Sequence, residues 1–149
     1  MQVLDLGTGV GYFAPAILAA LGTQGRLLLV DPDAGVLDRA RKRLGHDPRV
    51  SFLVGSGASI PSVPDESQDR VVLSLVLCCV RDKAGVLDET WRVLRPGGWA
   101  VVSYPRFQAG SRGLGVTPAV WAELLGRHPW REALPSWGRV VRQHLLKRP

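Results

Sequence analysis

Two rhythms of apolar residues alternate along the chain. Residues 3–6, 26–30, 50–54, 70–76 and 99–104 are short runs, mostly apolar at successive positions, such as Leu27-Leu28-Leu29-Val30. That pattern predicts strands buried on both faces. Between them lie stretches with helical spacing. Residues 12–21 are rich in Ala, Leu and Ile, with Pro15 near the start, where a missing N–H is tolerated, and Gly22 and Gly25 beyond the end. Residues 34–44 place Val36, Leu37, Ala40 and Leu44 on one face and carry basic residues in the last turn. Residues 84–94 form a third helical stretch, stopped by Pro96-Gly97-Gly98. Residues 60–69, with Pro61 and Pro64, read as a loop.

Strand–helix alternation of this kind predicts an α/β fold with a parallel sheet covered on both faces. Right-handed crossovers lead to a doubly wound sheet of order 3-2-1-4-5. After Pro105 the rhythm weakens, so the C-terminal part is expected to be incomplete or atypical. Residues 107–116 read as a glycine-rich loop, 118–126 as a helix with Thr117 as N-cap, and 131–137 as irregular. Residues 139–147 suit a final helix or an edge strand equally. There is no internal repeat.

Length agrees with this pattern: 149 residues is the size of one domain, here a core of 1–105 and a basic extension of 106–149. With 46% apolar and 21% charged residues, the chain can bury a core. No apolar run approaches the roughly 20 residues that span a bilayer. The chain opens on a strand-like segment, not a leader. Cys78 and Cys79 are adjacent just past the fourth strand; strand alternation would point them to opposite faces, which disfavours a disulfide. A reducing cytoplasm is therefore the expected compartment.

The net charge of +6 is uneven. Residues 1–105 carry 11 basic and 11 acidic side chains, and residues 106–149 carry 8 basic and 2 acidic ones. A basic tail can attract nucleic acid, anionic lipid or an acidic partner, but a solvated surface is the favoured reading.

Candidate chemistry concentrates at the first strand-to-helix junction, Asp5-Leu6-Gly7-Thr8-Gly9-Val10-Gly11. At the carboxyl edge of a doubly wound sheet, this is where ligands bind. Glycines there let the backbone turn tightly and approach a ligand, and the helix N-terminus behind offers N–H groups to an anion. Asp31 closes the second strand 20 residues after Gly11, placed to accept hydrogen bonds from two ribose hydroxyls. Two ligand classes compete. Dinucleotide binders use G-x-G-x-x-G, with the third glycine five places after the first. Here that place is Tyr12, and the third glycine, Gly11, comes one residue early. The acid ahead of the loop, Asp5, suits an ammonium and a sulfonium and would repel a pyrophosphate. Both features favour an amino-acid-bearing nucleoside.

Taken with four further segments, this junction resembles the class I S-adenosylmethionine-dependent methyltransferases, of the broad type 11 group. Val3-Leu4-Asp5-Leu6-Gly7-Thr8-Gly9-Val10-Gly11-Tyr12-Phe13 resembles the first motif, and Val30-Asp31-Pro32 the acidic end of the second strand. Gly55-Ser56-Gly57-Ala58 with Ile60-Pro61 resembles the adenine-side segment. Residues 68–77 resemble the fourth-strand motif, and Trp91-Arg92-Val93-Leu94-Arg95-Pro96-Gly97-Gly98 the turn into the fifth strand. The resemblance covers roughly residues 2–105 and implies a Rossmann-like fold with S-adenosylmethionine as cofactor. It implies that Asp5, Gly7, Thr8, Gly9 and Gly11 hold the methionine end. Asp31 would bind the ribose and Pro32 would lie against adenine, with Ser56 and Gly57 at the adenine edge. Ser74 would contact the methionine moiety or face the methyl group.

Three departures qualify the resemblance. Position 56 is often Asp in the family, and Ser56 is a neutral, weaker partner. A charge-assisted bond there is worth about 1.5–3 kcal/mol. Position 68 is usually aromatic, and here it is Gln68. Family members usually carry a helical segment before the first strand that covers the cofactor. It is expected to lie upstream, or to be supplied by a partner or a second copy of the chain, or else the site is open.

Methyl transfer requires mainly alignment of a nucleophile within about 3–3.5 Å and exclusion of water. No general base stands out, so the catalytic residues stay unassigned. His46 reads as a surface residue. His128 is a weak candidate for a substrate site, and packing is favoured over chemistry for Cys78 and Cys79. Trp121, Trp130 and Trp137 are expected to fill a core more than to stack bases. No metal site is expected. The leading expectation is methyl transfer to a small-molecule acceptor. The alternatives are a non-catalytic cofactor-binding module and an RNA methyltransferase.

Overall fold

The computed structural model describes residues 1–105, 114–137 and 140–149, with the backbone alone for 133–137. The chain runs β1 (Gln2–Leu6), α1 (Ala14–Ala20), β2 (Arg26–Asp31), α2 (Ala34–Leu44), β3 (Val50–Val54), β4 (Gln68–Ser74), α3 (Lys83–Val93), β5 (Leu94–Pro105), α4 (Pro118–Leu125), β6 (Arg131–Trp137) and β7 (Val141–Lys147). One sheet of order β3-β2-β1-β4-β5-β7-β6 holds all seven strands. The first five are parallel and follow the 3-2-1-4-5 order that the alternation predicts; β7 and β6 add antiparallel.

Side-chain alternation along the strands feeds two cores. Leu4, Leu6, Val71, Leu73, Ala100 and Val102 pack with Val86, Leu87 and Val93 of α3 and Trp121 and Leu124 of α4. On the opposite face, Val3, Leu27 and Leu29 pack against Ala14 and Leu18 of α1 and Leu37, Ala40 and Leu44 of α2. Local chemistry starts the helices. Asp33 Oδ1 accepts from the N–H groups of Gly35 and Val36, Asp82 from Gly85, and the Thr117 hydroxyl from Val120. Arg41, Lys42 and Arg43 occupy the last turn of α2, opposite its partial negative charge.

The reading of 131–137 as irregular is corrected: this segment is β6, the edge strand. Its register shifts between Ala133 and Ser136, and Pro135 lies inside that shift. A proline N–H is missing there at little cost, because the ladder is already interrupted. The open choice for 139–147 resolves to a strand, β7, between β5 and β6. His144 and Leu146 turn inward in strand alternation. Most of the glycine-rich stretch expected at 107–116 falls outside the described residues. Among those described, no helix is long and apolar enough to cross a membrane.

One arginine fastens the end of this sheet. Arg148 lies over the Trp91 ring at 4.8 Å, donates to the Trp91 carbonyl at 2.8 Å and to Leu94 O, and pairs with Glu66 at 2.6 Å. Its backbone also bonds Gly97 and Gly98. Those two glycines sit in a bulge of β5 between the pairs Gln68↔Leu94 and Arg70↔Trp99. A cation thus serves the last carbonyls of α3. Arg148→Ala should destabilise the fold by about 2–3 kcal/mol. Arg95→Ala, which removes an exposed pair with Asp69, should cost under about 1 kcal/mol. Urea midpoints measure both; equal shifts would show that Arg148 is no fastening.

Candidate cofactor-binding site

The carboxyl ends of β1, β2 and β4 meet under the Gly7–Gly11 loop. The N–H groups of Gly7 and Thr8 both donate to the Val30 carbonyl, at 2.8 and 3.0 Å. Gly7 has φ +72°, and a Cβ there would sit 2.5 Å from Val76 Cγ2. Conformation and close approach both therefore demand glycine. Gly9, at φ +56°, donates its N–H to Asp31 Oδ2 at 2.8 Å, and a Cβ on it would meet no atom within 4 Å.

Asp31 stands buried at the end of β2 and also accepts from Asp33 N at 3.0 Å. Each carboxylate oxygen accepts one backbone bond and keeps capacity for another. Beside it opens a cavity of about 570 Å3, lined by Gly7, Asp31, Pro32, Ser56, Gly57 and Val76. Cys79, Arg81 and Asp82 close its far side. The Ser56 hydroxyl accepts from Ala58 N at 3.3 Å, shaping the turn on the wall.

Asp5 is buried at 2% exposure. Burial pushes its carboxyl up to about 6, the Thr8 hydroxyl bond at 2.6 Å opposes this, and the charge of Asp31 adds to the rise. A buried acid with few partners next to a second acid suits a site that receives a cation.

Gly7, Asp31, Pro32, Ser56 and Gly57 thus gather on one cavity. Asp5, Thr8, Gly9 and Gly11 form the loop and its support without lining that cavity. Ser74 lies apart from the five that line the cavity: alternation in β4 turns it to the other sheet face, where its hydroxyl meets that of Ser103 at 3.2 Å. There it lines a second cavity of about 580 Å3 with Phe13, Ile17, Val72, Val101 and Val141. The wall shared by both cavities is Leu75. Its φ is +59°, rare for a side chain branched at Cγ, and its N–H is held by Ser103 O at 2.9 Å. Nothing in the sequence marks this residue, since leucine carries no left-handed preference.

Other candidates serve packing. His128 stacks on Trp91 at 4.8 Å and bonds Asp88 at 2.7 Å. Buried His144 bonds Tyr104 at 2.9 Å and pairs with Glu132. Trp121 is in the core and Trp130 packs against it; the Trp137 side chain falls outside the described residues. Cys78 is buried in the core, whereas Cys79 is exposed on the cavity wall, so packing accounts for only the first. Both lie in the turn after Leu75, and the expected opposite orientation is corrected: their Sγ atoms are 3.5 Å apart. Among the described residues, no group of three or more His, Cys, Asp or Glu could hold a metal ion.

The raised Asp5 carboxyl has a consequence for stability. Between about pH 4 and 6 the folded chain keeps a proton that the unfolded chain has released, so stability falls as pH rises through that window. Asp5→Asn removes this slope and should stabilise the ligand-free protein above pH 6 by on the order of 2–3 kcal/mol. Melting curves of both proteins from pH 4 to 7 test it; curves that stay parallel refute it.

The family model described as "Methyltransferase domain" matches residues 4–102. The chain is 39% identical over 103 residues to a ubiquinone/menaquinone biosynthesis C-methyltransferase of Xanthomonas oryzae, covering 68% of this chain and 41% of that protein. It is 34% identical over 103 residues to an arsenite methyltransferase of Halobacterium salinarum, covering 68% and 26%. The chain thus matches well under half the length of these relatives. In fold it is similar to a SAM-dependent methyltransferase from Aquifex aeolicus, with TM-score 0.81 and 21% identity, covering 98% of this chain and 81% of that one. With its glycine loop, acid-capped second strand and seven-stranded sheet, this chain belongs to the methyltransferase domain family, among the class I S-adenosylmethionine-dependent methyltransferases.

Proposed function

We propose that this chain binds S-adenosylmethionine in the cavity beside Asp31 and transfers its methyl group to a small-molecule acceptor. The observation that carries the reading is the buried Asp31 carboxylate, held by Gly9 and Asp33 at the mouth of a cavity of about 570 Å3. That volume lies within the roughly 300–1,000 Å3 of small-molecule sites. The residues fit the group. Asp31 has acceptor capacity for two ribose hydroxyls, and Pro32 offers a flat apolar surface to adenine. Ser56 and Gly57 would border the adenine edge, and the side-chain-free Gly9 leaves room over the loop.

When bound, the cofactor supplies a methyl group on a sulfonium, already an activated leaving group. The chain binds and orients. Asp5 and Thr8, with the backbone of Gly7, Gly9 and Gly11, would face the methionine end. An ammonium group near Asp5 would hold its carboxyl in the charged form, reversing the effect of burial. Leu75, in place of Ser74, would form the wall beside the methyl group. No residue is assigned as general base. We read residues 1–149 as one domain and the cytoplasm as its compartment, where the Cys78 and Cys79 thiols stay reduced.

Three of the tail's eight basic residues support a small acceptor over RNA. Arg127 pairs with Asp88, Arg148 with Glu66 and Trp91, and Lys147 lies over the Trp99 ring at 5.4 Å. These cations are committed to internal partners. A second reading, a binding module that turns over only when covered, is favoured by the cavity beside Leu75. Ile17 of α1 lines one side of it, but Phe13 and Leu75 on its wall are exposed, and methyl transfer requires exclusion of water.

Calorimetry with S-adenosylmethionine and S-adenosylhomocysteine should show one site. Asp31→Ala should weaken it about 10- to 100-fold, and Cys79→Ala less. Equal effects would count against the site, and no binding at millimolar ligand would end both readings. Labelled methyl transfer to a panel of thiols, phenols and activated carbon acids separates the enzyme from the binding module. RNA binding that falls steeply with salt would instead favour a nucleic-acid acceptor.

A further inference from the structure

The adjacent sulfurs of Cys78 and Cys79 are not explained by cofactor binding. The turn after Leu75 brings their Sγ atoms to 3.5 Å. The Cys78 thiol also points at Leu75 O at 3.0 Å, and Cys79 opens on the cofactor cavity beside Val76 and Val80. Three ways of joining the sulfurs fit poorly. Neighbouring Cα atoms are about 3.8 Å apart across a trans peptide. That is less than the roughly 4.4 Å at which unstrained disulfides begin. A linear two-coordinate metal needs its sulfurs about two bond lengths apart, or ~4.6 Å, taking ~2.3 Å for each bond. Tetrahedral zinc needs at least one more protein ligand, and among the described residues no group of three His, Cys, Asp or Glu could hold it. What remains is one bent, soft centre that takes two thiolates and brings its own third substituent. Trivalent arsenic has that valence and that preference for sulfur.

We propose that Cys78 and Cys79 form a two-thiol chelate site for trivalent arsenic compounds on the wall of the cofactor cavity, and that filling it weakens cofactor binding. The chemistry is condensation without change of oxidation state. With an arsine oxide, the arsenic–oxygen bond breaks and two arsenic–sulfur bonds form. The two thiol protons leave with the oxygen as one water. Exposed Cys79 bonds first, and the Cys78 sulfur closes the ring as an intramolecular second step. The coupling to cofactor rests on the cavity reading above; the chelate itself does not.

The test uses the full chain and phenylarsine oxide. Mass spectrometry should show a one-to-one adduct formed with loss of one water, with two titratable thiols lost per adduct. An excess of 2,3-dimercaptopropanol should reverse it, and an equal excess of mercaptoethanol should not. Cys79→Ser and Cys78→Ala should each weaken the adduct about 100-fold, the gain expected from a second linked bond. Melting curves check that both variants fold; should Cys78→Ala fail, the exposed Cys79→Ser and the thiol count still decide. No adduct, an adduct consuming one thiol, or one that persists in Cys79→Ser overturns the chelate. Calorimetry of S-adenosylhomocysteine on the adduct should show affinity at least about tenfold lower. Unchanged affinity would overturn the coupling. Failure of the unmodified chain to bind S-adenosylhomocysteine would tell against the proposed function and leave the adduct result standing.

Discussion

The carbonyl of Val30 accepts from both Gly7 and Thr8, and the site is built outward from that junction. It pins the loop after β1 to the end of β2 and brings Asp31 within reach of the Gly9 N–H. Gly7 makes it possible because Val76, just beyond β4, fills the volume a side chain would need. Three strand ends are thus locked together by two hydrogen bonds and one missing Cβ. The cavity is the space left above them.

Electrostatics follow from the same packing. Two acids, Asp5 and Asp31, end neighbouring parallel strands, one deeply buried and the other held by backbone donors. Burial that raises the Asp5 carboxyl to about 6 costs the ligand-free fold stability above that pH. Its burial beside a second acid makes chemical sense if a cation comes to rest nearby. Leu75 shows a similar trade, since its left-handed backbone is held by Ser103 and divides the two cavities. Strain of that kind persists where the surroundings over-determine it.

Much of this was legible in the residues. The five parallel strands follow from runs apolar at successive positions, and their order from the handedness of crossovers. Gly7 and Asp31 were singled out by type and spacing, and Pro32, Ser56 and Gly57 by the family resemblance; the five border one cavity. Beyond Pro105 legibility fell. Residues 131–137 lack a clean period because Pro135 interrupts the ladder, and β7 becomes a strand by pairing with β5 and β6. Such pairing joins residues far apart in the chain, so no local window contains it.

By itself, the sequence determined the helical and extended periods, the glycines at the first turn and the acid at the end of β2, because local sterics and side-chain chemistry decide these. Tertiary structure decided where the chain turns after Ser74. The Ser103 carbonyl holds the Leu75 N–H, and the turn that follows aims Cys79 at the cavity and sets its sulfur 3.5 Å from that of Cys78. Strand alternation would have sent those two side chains apart. A hydrogen bond to a strand 28 residues later accompanies the break in that alternation, and neighbouring residues alone do not encode it.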